Sequence, residues 1–409
     1  MSSSDTVLAA LDSELGWIRE TYTDLHRHPE LSLEEHRTSK TVEGKLAAFG
    51  YSVSRLGGTG VVGVLENGDG PTVLARADMD ALPVTEATGL PYASTVNGVM
   101  HACGHDLHVS ALLGAAKLMA DGRGAWTGTY IALFQPAEEI GAGSQAMIDD
   151  GLVTKVPHPD VALAQHVMPL PAGTVATTEG PVLSAGDSLK ITVYGKGAHG
   201  SMPHMSVDPV VLAASIVLRL QSIVAREVKP GEFAVVTVGA LHAGTTSNII
   251  PDRATLLLNI RTYDNQVRAS VLAAIERIVR GECSAAGAPR DPDFEYYNQF
   301  PLTSNDAAVT ARVRTAFTAH FGPDAVHQAE RQTASEDFSR IPEAFGVPYT
   351  FWLIGGADAE AYRAAAGGGT LAQDIPANHS PLFAPVMDPS LSVGVQAHVL
   401  AALSYLADR

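Results

Sequence analysis

The chain predicts a two-domain α/β protein, in which a mostly parallel-sheet domain is interrupted by an inserted α+β domain of the ferredoxin-like kind. Three observations predict this. At 409 residues the chain exceeds the size at which one core usually stops growing, so two domains are the default. Continuous apolar runs such as Thr129-Tyr-Ile-Ala-Leu-Phe134 and Val161-Ala-Leu-Ala164 read as strands buried in a parallel sheet. From about 186 the order becomes βαββαβ, the split arrangement of a ferredoxin-like sandwich, and the earlier patterning resumes afterwards. The expected domains are therefore 1–185 with 300–409, and 186–299 as the insert.

In order along the chain, Val7, Leu8, Leu11, Leu15 and Ile18 recur at helical period over 5–25, and Pro29 stops that helix. A second helix over 33–49 ends at Gly50, and extended runs follow at 60–65 and 72–77. Thr72-Val-Leu-Ala-Arg-Ala77 leads into Asp78-Met-Asp80, which places carboxylates where open α/β sheets hold their ligands. These two can bind a metal directly or orient a ligating histidine from behind.

The segment Met100-His-Ala-Cys-Gly-His-Asp-Leu-His108 sets imidazoles and a thiol two residues apart, a donor set that suits a divalent transition metal. Val109, Leu112, Leu113, Ala116 and Met119 then recur at helical spacing, so the donors sit on the loop that enters a helix. The strand 129–134 delivers Glu138 and Glu139, and the strand 161–164 delivers His166. Three successive strands ending in Asp78/Asp80, Glu138/Glu139 and His166 point to a metal crevice. His26 and His28, at a helix end and a turn, read as structural.

In the insert, strands are expected over 187–194, 233–241, 253–262 and 294–297, with helices over 207–225 and 265–280. After its first strand, Gly195-Lys-Gly-Ala-His199-Gly sets a histidine in glycine-rich backbone that allows close approach to another molecule. Asn248 and Arg261 are further candidates for substrate binding, because an arginine fork pairs with a carboxylate. The remaining elements are a helix over 307–320, a strand over 349–354 and a helix over 389–406, with Asn378-His379 between the last two.

A formal net charge of −17 argues against nucleic acid and anionic membranes as partners, and no run of eighteen apolar residues is present. Two cysteines, Cys103 and Cys283, make no disulfide framework and fit a reducing compartment. No secretory signal pattern opens the chain, so a cytoplasmic location is expected.

Several runs together resemble the co-catalytic metallopeptidase family of aminoacylases and carboxypeptidase-G-type enzymes, nearest the branch of hippurate hydrolases and indole-acetyl-amino-acid amidohydrolases. They are Arg76-Ala-Asp-Met-Asp-Ala-Leu-Pro83, His101-Ala-Cys-Gly-His-Asp106, Pro136-Ala-Glu-Glu139, Gly197-Ala-His-Gly200, Asn248-Ile-Ile-Pro-Asp252, Ser335-Glu-Asp-Phe338 and His379-Ser-Pro381. The resemblance implies a di-metal hydrolase domain whose insert serves as lid and dimerisation domain. It implies ligation of two divalent ions by Cys103, His105, Glu139, His166 and His379, with Glu138 as general base and Asp80 behind the ligands. It makes His199 the group that polarises the scissile carbonyl, from its own subunit or a partner's. Zinc suits thiolate and imidazole best, with manganese, cobalt or nickel as alternatives. The expected reaction is hydrolysis of a small N-acyl amino acid by a homodimer or larger homo-oligomer. Its rivals are a dipeptidase or carboxypeptidase, an N-acetyl-diamino acid deacetylase and a non-catalytic metal-binding dimer.

Overall fold

In the computed structural model, which describes residues 2–407, the chain divides into two compact units. One comprises the chain up to Val182, Ser304–Glu330 and the part from Asp337 onward; the other comprises Leu183–Thr303 with Arg331–Glu336.

The first unit is built on an eight-stranded sheet. Its centre is four parallel strands in the order Gly128–Gln135, Thr72–Asp78, Val161–Pro171 and Tyr349–Ala357. Apart from the half-exposed end of Val161–Pro171, these strands are buried almost throughout, as their unbroken apolar runs require of a sheet covered on both faces. Antiparallel strands flank them: Gly60–Asn67 with Ser52–Leu56 on one side, and Val175–Thr177 on the other. The helices Leu11–Arg27, His105–Asp121 and Met387–Leu406 pack together over this core. Gly114 permits their close approach, since a Cβ there would stand 2.8 Å from both Ile18 and Val395. His105–Asp121 is buried nearly all round, which explains why its sequence is apolar on every face.

Strand register aligns the chemistry. Asp78 pairs with Gln135, Arg76 with Ala164, and His166 with Leu353, so Asp78, Gln135 and His166 share one level. The expectation that His166 ends its strand is corrected, because the strand runs on to Pro171. Past Ala164 its pairing with Thr72–Asp78 ends but its pairing with Tyr349–Ala357 continues, so His166, level with Asp78, is held in a ladder on one side.

The second unit carries a four-stranded antiparallel sheet in the order Ala234–Ala243, Arg253–Thr262, Ala185–Tyr194 and Asp293–Phe300. With the helices Pro209–Ser222 and Asn265–Ala285 this is the βαββαβ sandwich, and Arg253–Thr262 alternates buried and half-exposed residues accordingly. Asp208 and Asp264 cap the two helices by accepting from amides of the first turn. Leu212, Ile216, Leu220, Ile275 and Val279 form its core with Leu189, Ile191 and Leu256. The stretch Pro209–Glu227 is long and apolar enough to cross a membrane by length and composition, and in this fold its apolar side fills that core.

Two further differences are instructive. The N-terminal helix is two helices, Ser3–Leu8 and Leu11–Arg27. The strand Ser52–Leu56 and the helix Ala359–Gly368 have little buried surface, so neither leaves a clear apolar period in the sequence.

Candidate metal centre

Gly104 places the first two donors. It sits at φ +84° as the residue before the helix His105–Asp121, and a Cβ on it would come 2.4 Å from Val167 Cγ1. Only glycine accepts both demands, and it turns the chain so that Cys103 and His105 stand on either side. The Glu138–Glu139 pair follows Ala137, a non-glycine residue at φ +48°. Asp80 holds this pair from behind: its Oδ1 accepts the Glu138 amide and its Oδ2 the Glu139 amide, both at 3.1 Å. Asp80 Oδ2 also accepts from Ser32 Oγ at 2.7 Å, and Oδ1 lies 3.3 Å from His105 Nδ1. His379, at φ +69°, donates its amide to the Ala102 carbonyl at 2.7 Å.

The five side chains expected to ligate metal converge. Ligand atoms of Cys103, His105 and Glu139 all lie within 4.8 Å of one another. Cys103 Sγ is 3.5 Å from His166 Nε2. Glu139 Oε1 is 3.8 Å from His105 Nε2, and its Oε2 is 3.3 Å from His379 Nε2. His166 Nδ1 donates to the Val167 carbonyl at 2.8 Å, which leaves Nε2 as a lone-pair donor facing the thiol. His105 Nε2 and Glu139 Oε1 are buried without a hydrogen-bond partner. Orphaned buried donors beside a thiol and a carboxylate are what a divalent cation would satisfy, so the residues fit such an ion.

The electrostatics agree. Burial works to lower the His105 pKa, but Asp78, Asp80 and Cys103 outweigh it and hold it well above the ordinary value. Hydrogen bonds to Cys103 and Glu139 push His379 to about 10. A cation held there would compete with protons for both imidazoles. Asp78, His105, His108 and His166 form a second close group, yet His108 is already committed. Its Nδ1 bonds Asp78 Oδ1 at 2.6 Å and its Nε2 accepts the Val167 amide at 2.8 Å. Burial lowers its pKa and keeps the ring neutral, as that bonding requires.

In the second unit, Ala198–His199 pairs with Ile249–Ile250, and the Gly200 amide donates to the Asn248 carbonyl at 2.8 Å. His199 and Asn248 therefore line one groove of about 940 Å³, together with His242, Thr245 and Arg253. His199 is exposed, with Nδ1 2.8 Å from Ser201 Oγ. Arg261 is not among the residues lining that groove; its guanidinium bonds Asn259 and Ser335.

Some participants escaped the sequence reading. His26 is no candidate ligand: its Nδ1 bonds Asp106 at 2.6 Å and its Nε2 bonds Glu86 at 3.2 Å. Asn378 donates to the carbonyls of Cys103 at 3.3 Å and Val167 at 3.2 Å, with Cys103 Sγ at 3.7 Å. Its position beside His379 was the available signal. Glu35 accepts the Ala137 amide, and nothing in its polar surroundings marks it.

A buried crevice of thiol, imidazole and carboxylate at the ends of parallel strands defines a metallohydrolase-type α/β domain. Residues 74–366 match the model of peptidase family M20/M25/M40, and the chain belongs to that family. It is 38% identical over 363 residues to N-acetyl-L-cysteine deacetylase of Bacillus subtilis, covering 86% of this chain and 83% of that protein. It is 39% identical over 333 residues to hippurate hydrolase of Campylobacter jejuni, covering 80% and 85%. Among solved structures, the Bacillus subtilis YXEP protein, described as a dinuclear metal-binding peptidase, superposes with a TM-score of 0.77 at 30% identity, covering 95% of this chain and 97% of that one.

Proposed function

We propose that this protein is a metal-dependent amidohydrolase that cleaves N-acyl amino acids to a carboxylic acid and a free amino acid. The observation that carries the reading is the convergence of Cys103, His105, Glu139, His166 and His379, with His105 Nε2 and Glu139 Oε1 buried and left without a hydrogen-bond partner. The relatives named as a deacetylase and a hippurate hydrolase support it.

In this reading the five side chains hold two divalent ions, zinc by preference, with manganese, cobalt or nickel able to replace it. Such ions, when bound, acidify water and polarise a carbonyl. Glu138 accepts the proton of the attacking water and returns it to the leaving nitrogen, so the free amine departs neutral. Asp80 keeps Glu138 and Glu139 pointing correctly through their amides. His199 donates to the carbonyl oxygen as negative charge develops there, a contribution typically worth about 3–4 kcal/mol. Arg261, outside the groove that holds His199 and Asn248, is suited to pair with the carboxylate of the amino acid, and Asn248 binds the substrate beside His199.

We further assign the working form as a homodimer joined through the second unit and place it in the cytoplasm, where Cys103 stays reduced. The outer strand Ala234–Ala243 has one unpaired edge, and Val211 and Leu218 on the helix Pro209–Ser222 are 63% and 76% exposed. An open edge beside apolar side chains is a surface that a second copy would cover.

The test is Glu138→Gln. It should keep its full metal content and lose turnover by roughly 10²–10⁴-fold; a variant that hydrolyses at the wild-type rate rejects the assignment. A second reading, peptide hydrolysis, draws on the structural relative described as a peptidase. Benzoylglycine, N-acetyl amino acids, dipeptides and N-acetyl-diaminopimelate assayed side by side separate the two.

A further inference from the structure

Three consecutive amides carry the turn that aims Glu138 and Glu139, and each donates to a buried carboxylate. Asp80 takes the second and third. The first, Ala137 N–H, goes 2.8 Å to Oε1 of Glu35. Glu35 is wholly buried at the start of the helix His36–Ala48. Its Oε1 also accepts the Leu33 amide at 3.0 Å, and its Oε2 accepts from Thr59 Oγ1 at 2.5 Å. Ala137 and Leu33 are two of the four non-glycine residues at positive φ among the described residues, so one carboxylate holds two strained turns. The loop is closed from the other side as well. The Ala142 and Gly143 amides reach the Ala137 carbonyl at 3.2 and 3.1 Å, and a Cβ on Gly143 would meet the Pro136 carbonyl.

No lysine, arginine or histidine pairs with Glu35 among the described residues, and burying a carboxylate without a cation is costly. Burial accordingly raises its pKa, while the hydrogen bonds from Thr59 and Ala137 pull the other way. Such a carboxylate persists where the amides it collects must be held in one arrangement.

We propose that Glu35 is a positioning residue: by fixing Ala137 in its left-handed conformation it sets the directions of Glu138 and Glu139, and hence metal affinity and turnover. The proposal rests on the reading that those two glutamates serve a metal centre.

The experiment uses the full-length protein. Zinc affinity is measured by chelator competition, kcat and KM on the best substrate of the panel, and thermal stability on the metal-free form. Glu35→Ala should bind zinc at least 10-fold more weakly, within the range of about 10–100-fold seen for groups supporting ligands. Its kcat should fall at least as far, with KM changed less. Glu35→Gln should stay within about 3-fold of wild type, because its carbonyl can accept both amides while its NH₂ donates to Thr59 Oγ1. Wild-type zinc affinity in Glu35→Ala, even at lowered stability, overturns the proposal. Should Glu35→Ala fail to fold, Glu35→Asp withdraws the carboxylate by one methylene and keeps its charge. Wild-type zinc affinity in that variant is equally fatal, and a 10-fold loss sustains the proposal. Zinc affinity is read without substrate, so a wild type that binds zinc but hydrolyses no N-acyl amino acid sinks the function alone. A wild type that binds no divalent ion sinks both.

Discussion

Carboxylates behind the proposed ligands organise this site as much as those side chains do. Asp80 touches two backbone amides, a serine and a histidine; Asp78 orients His108, which in turn holds the Val167 amide beside His166. Asp78 stays ionised despite burial, since His105, His108 and Arg76 surround it and hold its pKa well below the usual carboxylate range. His26 is a separate case with a measurable consequence. Burial disfavours its charge, but Asp106 and Glu86 outweigh burial and raise its pKa from 6.5 to about 9. A histidine raised in the folded state stabilises fully below its unfolded pKa and loses that contribution as pH rises through the folded one. Metal-free wild type should therefore lose on the order of 3 kcal/mol between about pH 6.5 and 9. His26→Ala should be less stable at pH 6.5 and flatter across that window. Denaturant melts of both proteins at several pH values check this, and parallel pH profiles would count against it.

At the scale of elements, the strand ends and the helix entry meet at one level because neighbouring parallel strands stop in register, as Asp78 opposite Gln135 shows. Much of this was legible in the chain. Buried strands write continuous apolar runs, and the spacing through Cys103 and His105 marks a loop opening into a helix. The continuation of Val161–Pro171 past His166 was not legible, since its last residues are half-exposed and are held by pairing with a distant strand. Gly104 offers the sharpest test at this scale. Gly104→Ala must place a Cβ against Val167 and keep a left-handed backbone, so it should destabilise by about 1–3 kcal/mol and weaken metal binding. Adding Val167→Ala should relieve the clash but not the backbone strain, restoring only part of the melting temperature; full recovery would contradict the conformational share of the argument.

For the whole molecule, the proposed dimer gives a direct measurement. Sedimentation of the wild type should report twice the 42.8 kDa chain mass, and Leu218→Glu with Leu241→Glu should report the single chain. A wild type that sediments as one chain at micromolar concentration would remove the dimer from the proposal. By itself the sequence determined the α/β class and the βαββαβ insert, and it singled out Cys103, His105, the Glu138–Glu139 pair and His166 as candidates, because periodicity and donor chemistry are local properties of a chain; His379 came from the family resemblance. Only the tertiary structure decided which of the histidines stay free. His26 reads as structural and His108 stands just beyond the donor segment, and in the fold Asp106, Glu86 and Asp78 claim their nitrogens across 80, 60 and 30 residues. Only folding brings Glu35 to Ala137, 102 residues away. Hydrogen bonds at such separations leave no period in the chain; they exist only once the core has brought the segments together.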